Sequence, residues 1–199
     1  MSLDPQYFAD LYATSEDPWA FRTRWYEKRK RELVMACLPR QCYQRVFEPA
    51  CANGELSALL AERCANLVCQ DLDPTAVALA GERLAGLSNV SVELARLPSD
   101  WPHGHFDLIV LSEVGYYLDP TDWLQVIEQS VASLTYGGGL LACHWKHPIA
   151  GCPQDGREVH RMLARHLPLY LQFQHDEADF LLEYWSSQPS VVDLDETCP

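Results

Sequence analysis

A chain of 199 residues, 48% of them hydrophobic, carries enough apolar side chains for one substantial core and reads as one structural domain. A net charge of −13 argues against nucleic acid as a partner, because the densest basic cluster, Arg22 to Arg31, lies on a segment with helical patterning. No window reaches the roughly 18 apolar residues of a membrane span, and Met1 to Leu11 lacks the basic start and apolar core of a signal peptide, so no membrane partner and a cytoplasmic location are expected.

Asp4 to Leu11 predicts a short helix. Asp17-Pro18 offers an N-cap with proline at the first helical position, predicting a second helix that runs to about Cys37, where Pro39 stops it. That helix carries Trp19, Phe21, Trp25 and Tyr26 beside six basic residues. Residues 1–40 are thus an N-terminal helical arm, 41–186 the core, and 187–199, polar and acidic, a tail expected to be flexible. The eight cysteines form no Cys-x-x-Cys pair and several lie in apolar runs, which predicts reduced thiols and no metal.

Val46 to Pro74 is the stretch around which the rest is organised. An apolar run ends in Glu48; the small residues Ala50, Cys51, Ala52, Asn53 and Gly54 follow; an amphipathic helix spans Glu55 to Arg63; a second apolar run ends in Asp71-Leu72-Asp73-Pro74. This is a βαβ unit. It places the first turn beside the second strand's acid at the carboxyl edge of a parallel sheet, where open α/β folds bind ligands and where an acid about 20 residues beyond the turn can accept from both ribose hydroxyls. A dinucleotide fits poorly: its fingerprint needs glycine at 50, 52 and 55, and the residues are Ala50, Ala52 and Glu55. Glu55 also occupies the positive helix end that a pyrophosphate would use, so a cationic nucleoside suits the edge better.

The turn Glu48-Pro49-Ala50-Cys51-Ala52-Asn53-Gly54, with Asp71 after it, resembles motif I and the second acidic motif of class I S-adenosylmethionine-dependent methyltransferases. The family turn is acid-x-Gly-x-Gly-x-Gly, of which only the third glycine stands here. The resemblance implies S-adenosylmethionine as cofactor and S-adenosylhomocysteine as product. It also implies a Rossmann-like α/β fold with a seven-stranded, mostly parallel sheet in order 3-2-1-4-5-7-6, strand 7 antiparallel. It places Glu48, Ala50, Gly54, Asp71, Leu72, Leu97 and Ser112 at the cofactor.

Further along, Thr75 to Leu84 is helical and Val90 to Leu94 is a third strand. Arg96 stands where the family carries an adenine-contacting acid, which leaves a backbone group or Asp100 for that contact. Phe106 to Leu111 reads as a strand buried on both faces, Asp119-Pro120 opens a helix to about Leu134, and Gly137-Gly138-Gly139 turns the chain into a fifth strand, Leu140 to Trp145. A helix over Arg157 to His166 and two strands, Leu169 to Gln174 and Phe180 to Trp185, complete the chain.

Asp17-Pro18-Trp19, Tyr26 to Arg31, Ser112 to Leu118 and His144-Trp145-Lys146-His147-Pro148 are similar to the nodulation protein S (NodS) group, whose rhizobial members N-methylate the free amine of a deacetylated chitooligosaccharide. That likeness implies a small-molecule amine, such as an amino sugar, as substrate. Methyl transfer from a sulfonium needs alignment and loss of the nucleophile's proton. Glu113 and His144, at the ends of strands four and five, are the candidate bases, with Tyr117 beside them. Arg29 is the candidate for the cofactor's carboxylate. Two other readings stand beside this one: O- or carboxyl methylation of another metabolite, and a non-catalytic cofactor-binding regulatory domain.

Overall fold

The computed structural model describes residues 1–190. Strands β1 (Tyr43–Pro49), β2 (Cys64–Asp71), β3 (Val90–Leu94), β4 (Phe106–Ser112), β5 (Leu134–Trp145), β6 (Tyr170–Asp176) and β7 (Phe180–Ser186) form one sheet in the order 3-2-1-4-5-7-6. The β1, β2, β3, β4 and β5 pairings are parallel, and β7 runs antiparallel to both β5 and β6. This is the order the family resemblance implies.

Strand alternation divides the core into two layers. Val46, Leu108, Val110 and Leu141 pack on one face with Val34 and Leu60, whereas Phe47, Ile109, Leu111 and Leu140 pack on the other with Trp123, Val126 and Val159. The first face is covered by α2 (Trp25–Ala36), α3 (Glu55–Ala61) and α4 (Pro74–Arg83), the second by α5 (Pro120–Ser133) and α6 (Gly156–His166). Both faces of β4 are therefore dry, and a side chain such as Ile109 contributes about 1.5–3 kcal/mol by its burial. With the sides of the sheet sealed, its carboxyl edge is left open.

Three local expectations need correction. The second helix begins at Trp25, not Pro18. The Asp17 carboxylate accepts from the backbone N–H groups of Phe21 (2.8 Å) and Arg22 (2.9 Å), and Ala20 adopts φ +57°, so residues 17–24 form a turn instead. Gly137 to Gly139 lie inside β5, not before it; a Cβ on Gly139 would sit 2.0 Å from the Tyr184 hydroxyl, so the glycine makes room for that ring. Cysteines 37, 51, 64, 69, 143 and 152 are free, but Cys42, which precedes Tyr43 at the start of β1, is disulfide-bonded. Among the described residues no helix is long and apolar enough to cross a membrane.

An arm, α1 (Pro5–Thr14), and the turn after it lie against the open edge. At the other end, Ser187 Oγ accepts from Gly137 N (2.8 Å) and the Gln188 carbonyl from Gln172 (3.0 Å), so the start of the expected tail is tied to the core. Residues 191–199, the rest of that tail, lie outside the described residues.

Candidate active site

At the end of β1 the chain turns through three left-handed residues, Ala50 (φ +55°), Ala52 (+49°) and Gly54 (+77°), at the places of the three family glycines. A non-glycine residue there costs on the order of 1–2 kcal/mol, so something must hold the turn. The Cys51 N–H donates to the Gln70 carbonyl (3.0 Å) and the Ala52 N–H to Asp71 Oδ2 (2.9 Å). Gly54 does not reach the ligand space; a Cβ on it would meet Ala80 Cα at 3.2 Å, so it lets α3 pack against α4.

Asp71 also accepts from the Asp73 N–H at Oδ1 (3.0 Å). Burial raises its carboxyl to about 6, the two backbone donors holding it lower than burial alone would. It is mainly ionised at neutral pH and protonated below about 6, where it can no longer accept from two hydroxyls at once. S-adenosylhomocysteine affinity is therefore expected to be flat from pH 8 to 7 and to fall up to about tenfold per unit below 6. Calorimetry across that range checks it; in Asp71→Asn the fall should vanish, apart from any share due to buried Glu48, whose carboxyl burial raises to about 7.

A cleft of about 440 Å³ opens along this edge. At one end Leu72, Ala95, Arg96 and Leu97 line it, while Asp100 is not among the lining residues and its carboxylate accepts the Arg96 N–H (2.9 Å). Tyr7, Phe8 and Tyr12 from α1, with Trp19 and Phe21 from the turn, give it an aromatic wall; the Trp19 and Phe21 rings stack 5.5 Å apart. Glu48 and Ser112 line a 60 Å³ annex that shares Ala50, Ala52, Lys30 and Glu113 with the main cleft.

Arg29 is not among the lining residues. Its guanidinium makes a two-pronged pair with Glu177 (2.8 and 2.7 Å), tying α2 to the β6–β7 connection, and this corrects its assignment to the cofactor's carboxylate. Helical phase explains the error: Glu27, Lys30 and Val34 occupy the buried stripe of α2, and Arg29 lies off it. Arg24, at the N-cap of α2, lines the cleft instead.

Lys30 is buried at the cleft wall between Glu27 (2.9 Å) and Glu113 (2.6 Å). Burial alone would lower its ammonium's value, but the two carboxylates raise it above the ordinary lysine range. Glu113 has φ +55°, a strained placement for a glutamate at a strand end. Its Oε2 accepts from the Tyr116 hydroxyl (2.5 Å) and the Trp145 N–H (3.0 Å). Three donors thus hold the carboxylate, and of about four lone-pair sites one remains for a ligand. Tyr117 lines the cleft, its ring edge-on to Phe8 at 4.9 Å.

His144 does not face the cleft. It is fully buried behind the turn, Nε2 accepting from the Gly115 N–H (3.1 Å) and Nδ1 against His160 Nε2 (3.1 Å). Burial, then the neighbouring His160, pushes its value well below the ordinary imidazole range, so it stays neutral. β5 is buried on both faces, and alternation turned Trp145, not His144, to the cleft. Three buried polar atoms lack partners along the space: Tyr26 Oη and Gln70 Oε1 on the cleft, and Asn53 Oδ1 on the annex.

The family model for nodulation protein S matches residues 9–143. Nodulation protein S of Sinorhizobium fredii (strain NBRC 101917 / NGR234) is 27% identical over 126 residues, 63% of this chain and 58% of that protein, so the chain spans less than two thirds of that relative. A solved structure from Pseudomonas syringae, described as a methyltransferase, is 52% identical with a TM-score of 0.74, over 82% of this chain and 99% of that one. The N-methyltransferase NodS of Bradyrhizobium japonicum WM9, solved with S-adenosylhomocysteine, is 24% identical with a TM-score of 0.82, over 93% of this chain and 98% of that one, a likeness of fold.

Proposed function

The chain belongs to the nodulation protein S family, and from that premise we propose that it is an S-adenosylmethionine-dependent N-methyltransferase acting on a small amine, an amino sugar being the favoured class. The observation that carries the reading is the pairing of Asp71 with the left-handed turn at the edge of an aromatic cleft. These residues fit the cofactor. Asp71 would take the ribose hydroxyls, Leu72, Ala95 and Leu97 the base, and Arg24 the methionine carboxylate, with Ala50 and Ala52 letting the backbone approach closely.

When bound, the sulfonium supplies the methyl group: the new N–C bond forms as the S–C bond breaks, and that electron pair returns to sulfur. The chain contributes alignment and charge. Glu113's remaining acceptor position orients one amine N–H, and its carboxylate faces the positive charge that develops on nitrogen. Tyr117 and Trp145 offer faces for a sugar ring. The surplus proton then leaves through the open side of the cleft.

The test joins thermal denaturation with a methyl-transfer screen. S-adenosylhomocysteine at about 100 times its Kd should add about 2.7 kcal/mol of stability while NAD adds none. Glucosamine and short deacetylated chitooligosaccharides should be methylated in preference to hydroxyl or carboxyl acceptors. Protection by NAD alone would end the methyltransferase reading, methylation confined to hydroxyls or carboxyls would end the amine reading, and protection without turnover on any acceptor would favour a binding domain.

A further inference from the structure

Behind the cleft a run of buried polar side chains leads away from the 3-10 turn Gly115–Tyr117. The Gly115 N–H donates to His144 Nε2 at 3.1 Å, His144 Nδ1 meets His160 Nε2 at 3.1 Å, and His160 Nδ1 meets Glu183 Oε2 at 2.7 Å. Glu183 is further fixed by Gln174 Nε2 on Oε1 (2.8 Å) and Trp185 Nε1 on Oε2 (3.3 Å). His144, His160 and Glu183 are each at most 3% exposed, and none lines the cleft.

One arrangement of protons satisfies every link. A backbone N–H can only donate, so His144 Nε2 must be bare and its proton must sit on Nδ1. That N–H needs an acceptor, so His160 Nε2 is bare and its own proton sits on Nδ1, facing the Glu183 carboxylate. Both ends agree on the direction of the chain, since the Gly115 N–H can only donate and the Glu183 carboxylate can only accept. From the other side Gln154 Nε2 donates to the Gly115 carbonyl (3.1 Å) and the Leu118 carbonyl (2.9 Å). A Cβ on Gly115 would lie 2.5 Å from Val159, so the turn is also closed in sterically.

What the relay grips is the segment carrying Glu113, Tyr116 and Tyr117, and Glu113 already stands in a strained backbone conformation. We infer that His144, His160 and Glu183 are positioning residues for methyl transfer: they hold His144 in its Nδ1–H tautomer so that Nε2 fastens Gly115 and sets the cleft face of the turn. This rests on the methyltransferase reading for its kinetic consequences only. Ordering a group through a partner one step removed carries effects of about 10- to 100-fold elsewhere in proteins.

The experiment has two arms. With 15N-labelled histidine, the wild-type protein should show His144 protonated at Nδ1 and bare at Nε2, and His160→Leu should show a mixture of tautomers at His144. An Nε2–H tautomer in the wild type overturns the inference whatever reaction the protein performs. In the kinetic arm, His144→Leu and His160→Leu should lower kcat about 10- to 100-fold with S-adenosylhomocysteine affinity within about twofold of wild type. His144→Gln, whose amide oxygen can replace Nε2 as the acceptor, should recover most of that rate. Equal rates in His144→Leu and His144→Gln would overturn the inference. Should a leucine variant fail to fold, or no acceptor be found, the wild-type tautomer decides alone.

Discussion

Lys30→Met is expected to lower the stability of the protein by about 3–5 kcal/mol, the loss that follows when one partner of a buried ionic group is removed. Its ammonium lies between Glu27 and Glu113, within 2.9 Å of each, and its side chain is 6% exposed. Methionine fills similar space, so the loss reports stranded charge and not a cavity. The carboxylates left behind are then uncompensated charges beside a largely buried side chain. Urea unfolding at pH 7 measures the loss, and Glu27→Leu added to Lys30→Met should restore most of the stability. A loss under about 1 kcal/mol, the scale of exposed pairs, would show that these charges are solvated.

Asp71→Ala is expected to weaken S-adenosylhomocysteine binding by at least 100-fold. Two hydroxyl bonds to a carboxylate are worth about 1.5–3 kcal/mol each, and every 1.4 kcal/mol is a factor of ten. The variant also strands the Ala52 and Asp73 N–H groups, which loosens the turn. Asp71→Asn keeps one acceptor oxygen and should fall between the two. Calorimetry on protein whose unliganded fold has been checked by circular dichroism decides the matter; wild-type affinity in Asp71→Ala would remove this residue from the site.

Much of this arrangement was legible because a parallel strand's end is a fixed address. Asp71, Leu72, Leu97, Ser112 and Glu113 could be placed at one edge once the strands were recognised, and the sheet brings all of them to the cleft or its annex. Helix α2 was harder. Its basic residues crowd several faces, and only packing singles out a stripe; the phase of Val34, four residues beyond Lys30, was the available sign that Lys30 turns inward. His144 was misplaced for the opposite reason: in a strand buried on both sides, apolar residues fill both faces and alternation carries no label for the ligand side. The Glu183–His160 link escaped notice because it joins a helix to the hairpin across 23 residues, and no local pattern announces such a pair.

The turn after β1 has a consequence for how such sites persist. A left-handed alanine costs on the order of 1–2 kcal/mol where glycine costs nothing, and the extra chain entropy that glycine surrenders on folding, about 0.4–1 kcal/mol, offsets only part of that. The remainder at Ala50 and Ala52 is carried by bonds such as that from the Ala52 N–H to Asp71, so the +55° and +49° angles stand without glycine. What this corner requires is a set of torsion angles rather than a residue type, and a pattern written in letters can miss a shape that the backbone keeps.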